Sequence, residues 1–193
     1  MAKSAKYIVL DLETTGLCSV TDSILEVAAI AVAEDLTIIS KFESVVGHIA
    51  TRAPESVCST PYVQDMHTRN GLLADCKAAH ESDEDYTWST VSARLYNWLW
   101  LCAPVERGCR LVGNSVHFDR QFLWSRAPKV DKHLHHQHID VSCLINTMNL
   151  VDIPFTRVAA STHRAMADAQ ASYDTWVEIL SALHNLKTPG GES

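Results

Sequence analysis

The stretch Tyr7-Ile-Val-Leu-Asp11-Leu-Glu13-Thr-Thr-Gly16-Leu17 constrains this chain more than any other. Its apolar lead-in reads as a buried strand, and a strand sends successive side chains to opposite faces. Asp11 and Glu13 therefore emerge side by side, while Leu10 and Leu12 point the other way. Two carboxylates at roughly 4–5 Å repel by about 3–4 kcal/mol at an effective dielectric of about 20. Such a pair is solvated at a strand end, shares a proton, or is bridged by a cation, and a hard divalent metal is the simplest bridge. On this stretch alone, a solvated strand end and half a metal site both stand open.

The rest of the chain narrows the setting. Its 193 residues are enough for one domain, taken as residues 1–187 with a frayed tail at 188–193. Hydrophobic residues at 47% and charged residues at 20% argue against a disordered or fibrous chain, and no apolar run reaches membrane-spanning length. The opening residues run straight into the acid-bearing strand without the apolar core and cleavage site of a signal peptide, so a cytoplasmic location is expected. Six cysteines without a C-x-x-C pair read as reduced thiols rather than a zinc ribbon or a dithiol redox site. A net charge of −7 removes the global positive field with which proteins track long nucleic acids, so any nucleic-acid partner is expected to be short.

Strand signals follow over Ile24–Val32 and, past a turn at Asp35, over Leu36–Val46, so three antiparallel strands come first. Pro54 and Pro61 preclude a long helix in the next segment, Asn70-Gly71 marks a turn, and the acidic run Glu81–Asp85 reads as a solvated loop. Val91, Leu95, Trp98, Leu99 and Cys102 have helical spacing, with Trp98 in the core. Arg110–Val112 reads as a strand running into Gly113-Asn114-Ser115, where Ser115 is expected to cap a helix beginning near Val116. Pro128 ends that helix. His133, His135, His136 and His138 lack zinc-ligand spacing and read as a solvated or packing segment. They lead into Ile139-Asp140-Val141 and a helix capped by Ser142. A last long helix is expected from Ser161-Thr162, with Ala169, Tyr173, Trp176, Val177 and Leu180 on its apolar stripe. The order of elements predicts an α/β domain with a mixed sheet flanked by helices, three antiparallel strands preceding parallel ones.

Two later segments supply possible partners for Asp11 and Glu13. Gly113-Asn-Ser-Val-His-Phe-Asp119 puts an acid early in a helix after a strand, and His163-Arg-Ala-Met-Ala-Asp168 has the pattern H-x-A-x-x-D. A separation of five residues is about 140° around an ideal helix, so His163 and Asp168 face one site only if His163 lies in the entry turn.

These three segments, in this order, resemble motifs I, II and III of the DEDD 3′→5′ exonucleases, histidine subclass. Gly16-Leu17, His67-Thr-Arg-Asn-Gly71-Leu72, Gly113-Asn-Ser and Ile139-Asp140-Val141-Ser142 resemble the oligoribonucleases, the branch that degrades very short RNAs. The resemblance spans nearly the whole chain. It implies a ribonuclease-H-like fold, metal-site acids Asp11, Glu13, Asp119 and Asp168, a general base His163, and two Mg²⁺ or Mn²⁺ ions. It further implies substrate contacts from Leu17, Tyr62, His67, Ser115, His136 and Ser142. By the same resemblance, Leu17 stands in the position of the wedge between the bases, and Ser115 and Ser142 match residues near the terminal phosphate. The chain departs from the family at Tyr62, Asn70 and His136-Gln137, where a tryptophan, a serine and a tyrosine-arginine pair are usual. In oligoribonucleases the last pair comes from the partner subunit, so a homodimer is implied.

The chemistry accounts for the residue types. A histidine with pKa about 6.5 cannot strip bulk water at 15.7, a gap of about 12 kcal/mol, without a metal to lower that pKa. The expected function is a 3′→5′ exoribonuclease acting on dinucleotides and other short oligoribonucleotides. A broader single-strand trimming or proofreading exonuclease and a catalytically silent nucleic-acid-binding module are the alternatives.

Overall fold

The structure is a computed structural model describing residues 3–47, 57–159 and 161–187. The strands are β1 (Tyr7–Thr14), β2 (Ile24–Val32), β3 (Ile38–Val45), β4 (Arg110–Gly113) and β5 (His138–Asp140). They form one five-stranded sheet of order β3-β2-β1-β4-β5. The β1–β2 and β2–β3 pairs are antiparallel, and β1–β4 and β4–β5 are parallel. The expected mixed sheet is present. The third strand starts at Ile38 because Leu36 adopts a left-handed φ of 65° and turns the chain first. As an edge strand, β3 is only partly buried, whereas all nine residues of β2 are buried.

The alternation of β1 sorts the two layers. Ile8, Leu10 and Leu12 face a core built with Val91, Leu95 and Leu99 of α3 (Trp88–Cys102). Phe122 and Leu123 of α4 (His117–Arg126) and Val130 of α5 (Pro128–His133) complete that core. Val9 faces the opposite core with Ala28, Ile30 and Val112, covered by α6 (Val141–Leu150) and α7 (Ala165–Lys187). Burying one such aliphatic side chain contributes roughly 1.5–3 kcal/mol, so each face holds its helices firmly. A third cluster of Leu25, Cys58, Leu72 and Cys76 seats α2 (Leu72–His80), which follows α1 (Pro61–Arg69), against the start of β2.

Pro61 opens α1, whose first turn is capped by the Thr60 side chain accepting from Val63 N. Pro128 likewise begins α5, two residues after α4 has ended at Arg126. Trp98 packs against the core and donates Nε1 to Ser40 at 3.0 Å. Two expected caps are corrected. Ser115, at a left-handed φ of 52°, makes no side-chain cap on α4. The cap of α6 is Asp140, whose Oδ1 accepts from Ser142 N at 2.9 Å and Cys143 N at 3.2 Å, because a carboxylate can take both donors. The buried face of α7 runs through Ala165, Ala169, Ser172, Trp176 and Ile179, so Val177 lies at the margin of the stripe expected for it. Pro54 and the 188–193 tail lie outside the described residues.

Candidate active site

The site lies where β1 loses its parallel neighbour. β4 pairs with β1 only at Tyr7, Ile8 and Val9, so further along β1 the backbone groups on that side need other partners. Asp119, in the first turn of α4, supplies one: its Oδ1 accepts from Leu12 N at 2.9 Å. The close approach depends on Gly113, where a Cβ would come within 2.9 Å of Leu10 O. Asp11 and Glu13 share the parity of Val9, so they leave β1 on the α7 side, as the alternation predicts.

α7 begins at Ala165, later than expected, because the Asp168 carboxylate holds the preceding residues outside the helix. Its Oδ1 accepts from Thr162 N at 3.0 Å, and its Oδ2 accepts from His163 N at 2.9 Å and Ser161 Oγ at 2.6 Å. His163 sits at a left-handed φ of 54°, in the entry turn that the five-residue spacing demands. One donor atom each from Glu13, His163 and Asp168 lies within 4.8 Å of the others. Asp11 and Asp119 line the same cleft, which has a volume of about 320 Å³.

The electrostatics are unbalanced. Burial, then the charge of Asp168, pushes the Asp11 carboxyl up to about 8. Burial, then Asp11 and Asp168, pushes Glu13 up to about 9. Burial also raises Asp119 well above the usual range, against the opposing Leu12 N–H bond. Among the described lining residues, Arg157 carries the one guanidinium, with Nη2 at 3.6 Å from Asp168 Oδ1. Four buried or half-buried carboxylates with one cationic side chain and a hard-oxygen donor set fit divalent cations.

The other predicted residues divide. Leu17, 79% exposed, and Tyr62, 73% exposed, stand at the rim of the cleft. Ser115 lines it, and Ser142 lies behind, its Oγ accepting from Ser115 N at 3.0 Å and donating to Asn114 Oδ1 at 2.7 Å. His67 forms part of the wall but is fully buried, donating Nε2 to Thr14 O at 3.1 Å. Glu13 is 3.8 Å from that nitrogen, beyond hydrogen-bond range, and burial lowers the His67 pKa, so the ring is neutral rather than ion-paired. His136 does not join the cleft of its own chain. It stacks on His135 at 4.2 Å and accepts from Arg120 Nη1 through its carbonyl.

Sequence reasoning missed the frame around His163. Glu26 on β2 accepts from Ala165 N at 2.8 Å, from Arg164 Nη2 at 2.9 Å and from Arg164 Nε, placing a carboxylate at the start of α7. The available signal was a charged residue with the parity of Ala28 and Ile30 in an otherwise apolar strand. Arg164 also reaches Asp75 of α2 at 2.9 Å; Asn70 stood out only as a turn residue and a departure from the family, with nothing to join it to His163, and Arg157 had no signal at all.

Residues 8–175 match the sequence model of the RNase T family, described as exonuclease. Oligoribonuclease of Corynebacterium diphtheriae is 34% identical over 143 residues, 74% of this chain and 64% of that protein, so the match spans just under two thirds of that relative. Oligoribonuclease of Nocardia farcinica is 30% identical over 176 residues, 88% of this chain and 77% of that protein. Among solved structures, an exonuclease I superimposes with a TM-score of 0.64 at 13% identity, covering 93% of this chain and 41% of that one. E. coli exonuclease I with a dT13 oligonucleotide gives 0.62 at 14%, covering 95% and 43%. At that identity the likeness speaks for the fold alone, and this chain spans less than half of exonuclease I.

A ribonuclease-H-like sheet with an acid cluster at the end of its central strand defines a class of phosphodiester hydrolases. Within that class, the chain belongs to the exonuclease family.

Proposed function

We propose that the chain is a 3′→5′ exoribonuclease that degrades short oligoribonucleotides, dinucleotides above all, to nucleoside 5′-monophosphates. The observation that carries this reading is the convergence on one cleft of Asp11, Glu13, Asp119, Asp168 and His163, with Leu17 and Tyr62 exposed at its rim. Large apolar side chains held out in water beside an acid cluster suit the stacking and wedging of bases. A cleft of this size suits a short substrate.

In this reading, Asp11, Glu13, Asp119 and Asp168 would hold two Mg²⁺ or Mn²⁺ ions. They would acidify water and offset charge on the phosphoryl oxygens. The imidazole of His163 takes a proton from the attacking water. Oxygen–phosphorus bond formation then proceeds as the bond from phosphorus to the penultimate O3′ breaks, the departing O3′ takes a proton from solvent water, and a nucleoside 5′-monophosphate and a shortened RNA are released. Asp168 keeps His163 in place through the His163 N–H. Leu17 and Tyr62 seat the bases, Ser115, braced by Ser142, faces the terminal phosphate, and His67 forms the wall. His136 fits the scheme only as a contribution from a partner subunit, so a homodimer is part of the proposal. A cytoplasmic location is also part of it, in keeping with six cysteines that form no disulfide, of which four are buried.

The test is a length series. Purified protein with Mg²⁺ or Mn²⁺ is expected to act fastest on a labelled RNA dinucleotide, more slowly on five- and twenty-nucleotide RNA and on matched DNA, and not at all after chelation. A flat length profile would favour a broader trimming exonuclease. A His163→Ala variant with wild-type turnover would overturn the role given to His163, since losing a general base costs on the order of 10²–10⁴.

A further inference from the structure

His163 is a non-glycine residue held at a left-handed φ of 54°, a conformation that persists only where its surroundings enforce it. Both of its backbone polar groups are held. The N–H donates to Asp168 Oδ2 at 2.9 Å, and the carbonyl accepts from Asn70 Nδ2 at 2.5 Å, from 93 residues away. The other end of the Asn70 amide is also engaged: Oδ1 accepts from Leu72 N at 3.1 Å, at the start of α2, where Leu72 is fully buried. The Asn70 side chain is thus fixed at both ends and joins a buried helix start to the loop carrying His163. Arg164, next in the chain, reinforces the same junction, donating Nη1 to Asn70 O at 3.4 Å. None of these contacts places Asn70 among the acids, and its amide is spent on the backbone.

We infer that Asn70 is a positioning residue: its side-chain amide fixes the carbonyl of His163 and thereby aims the imidazole at the cleft. The inference rests on the general-base reading of His163. A displacement of about 1 Å can cost on the order of 10²-fold in rate, and Asn70 supplies one of the two backbone anchors that prevent it.

The two functions of the amide can be separated. Asn70→Asp keeps the acceptor for Leu72 N but loses the donor to His163 O, whereas Asn70→Ala loses both. The expected result is a roughly 10–100-fold fall in kcat on an RNA dinucleotide for both variants, with KM near the wild-type value, as for a loss expressed only in the chemical step. Amide hydrogen exchange over residues 161–165 should quicken in both, while exchange in α2 should quicken only in Asn70→Ala. If Asn70→Asp matches wild type in kcat and in exchange at 161–165, Asn70 only caps α2 and the inference is overturned. Wild-type protein without turnover on the dinucleotide would refute the functional reading instead, and the exchange measurement would still decide whether Asn70 anchors the loop.

Discussion

Replacing Glu13 by glutamine should make the metal-free protein more stable while disabling it. An oxygen of Glu13 lies within 4.8 Å of one from Asp168, and at an effective dielectric of about 20 two charges at that distance repel by about 3 kcal/mol. Burial, then the charge of Asp11 and this repulsion from Asp168, lift Glu13 to about 9 from the usual 4.5. The folded chain therefore binds this proton more tightly than the unfolded chain. The stability contributed by protonation is complete below about pH 4.5 and is lost as pH rises through about 9. At pH 5 Glu13 is already protonated and the substitution should change little. Near pH 9 Glu13 is about half ionised in the folded chain and fully ionised in the unfolded one, so glutamine, which cannot ionise, relieves at least half the repulsion, about 1.5 kcal/mol. For a chain of this length each kcal/mol moves Tm by about 2–4 °C, so Glu13→Gln should melt at least about 3–6 °C above wild type at pH 9 in EDTA. Divalent metal should act the other way: at 100 times its Kd an ion adds about 2.7 kcal/mol to wild type, and less to a variant missing one oxygen ligand. Thermal melts by circular dichroism from pH 5 to 9, with EDTA or Mn²⁺, measure all of this. A Glu13→Gln protein that melts below wild type at pH 9 in EDTA would refute the picture of an over-charged site awaiting cations.

The junction between β2 and α7 offers a test of opposite sign. Glu26→Ala removes the acceptor of Ala165 N and of two Arg164 nitrogens, but Arg164 keeps Asp75, so we expect a loss of about 2 kcal/mol, read as a Tm about 4–8 °C lower. Leu17→Ala, at a rim position 79% exposed, should leave Tm unchanged and flatten the length profile, with dinucleotide KM rising by about 10-fold as roughly 1–2 kcal/mol of base contact is lost. An unchanged length profile would remove Leu17 from the substrate site.

Much of this protein was legible along the chain, because its strongest signals are local. The alternation of Ile8, Leu10 and Leu12 against Val9, Asp11 and Glu13 is a property of any strand, so the face carrying the acids follows from the order of residues alone. The same holds for the antiparallel start of the sheet and for the entry-turn position of His163, which helical geometry imposes on a five-residue spacing. What the chain order could not supply were choices between competing donors and acceptors distant in sequence. Serines looked suited to cap α4 and α6, yet Asp140 takes the donors of α6, and Ser115 is bent left-handed with its N–H turned to Asp140 and Ser142. The start of α7 likewise depends on Asp168 capturing Thr162 N and His163 N. Arg164 is an ordinary polar residue in the sequence, and neither the turn at Asn70 nor the lone charge of Glu26 in its strand names a partner. Only the packing of α2 and α7 against β2 brings them to His163, because a side chain's hydrogen-bond partner is set by proximity in space.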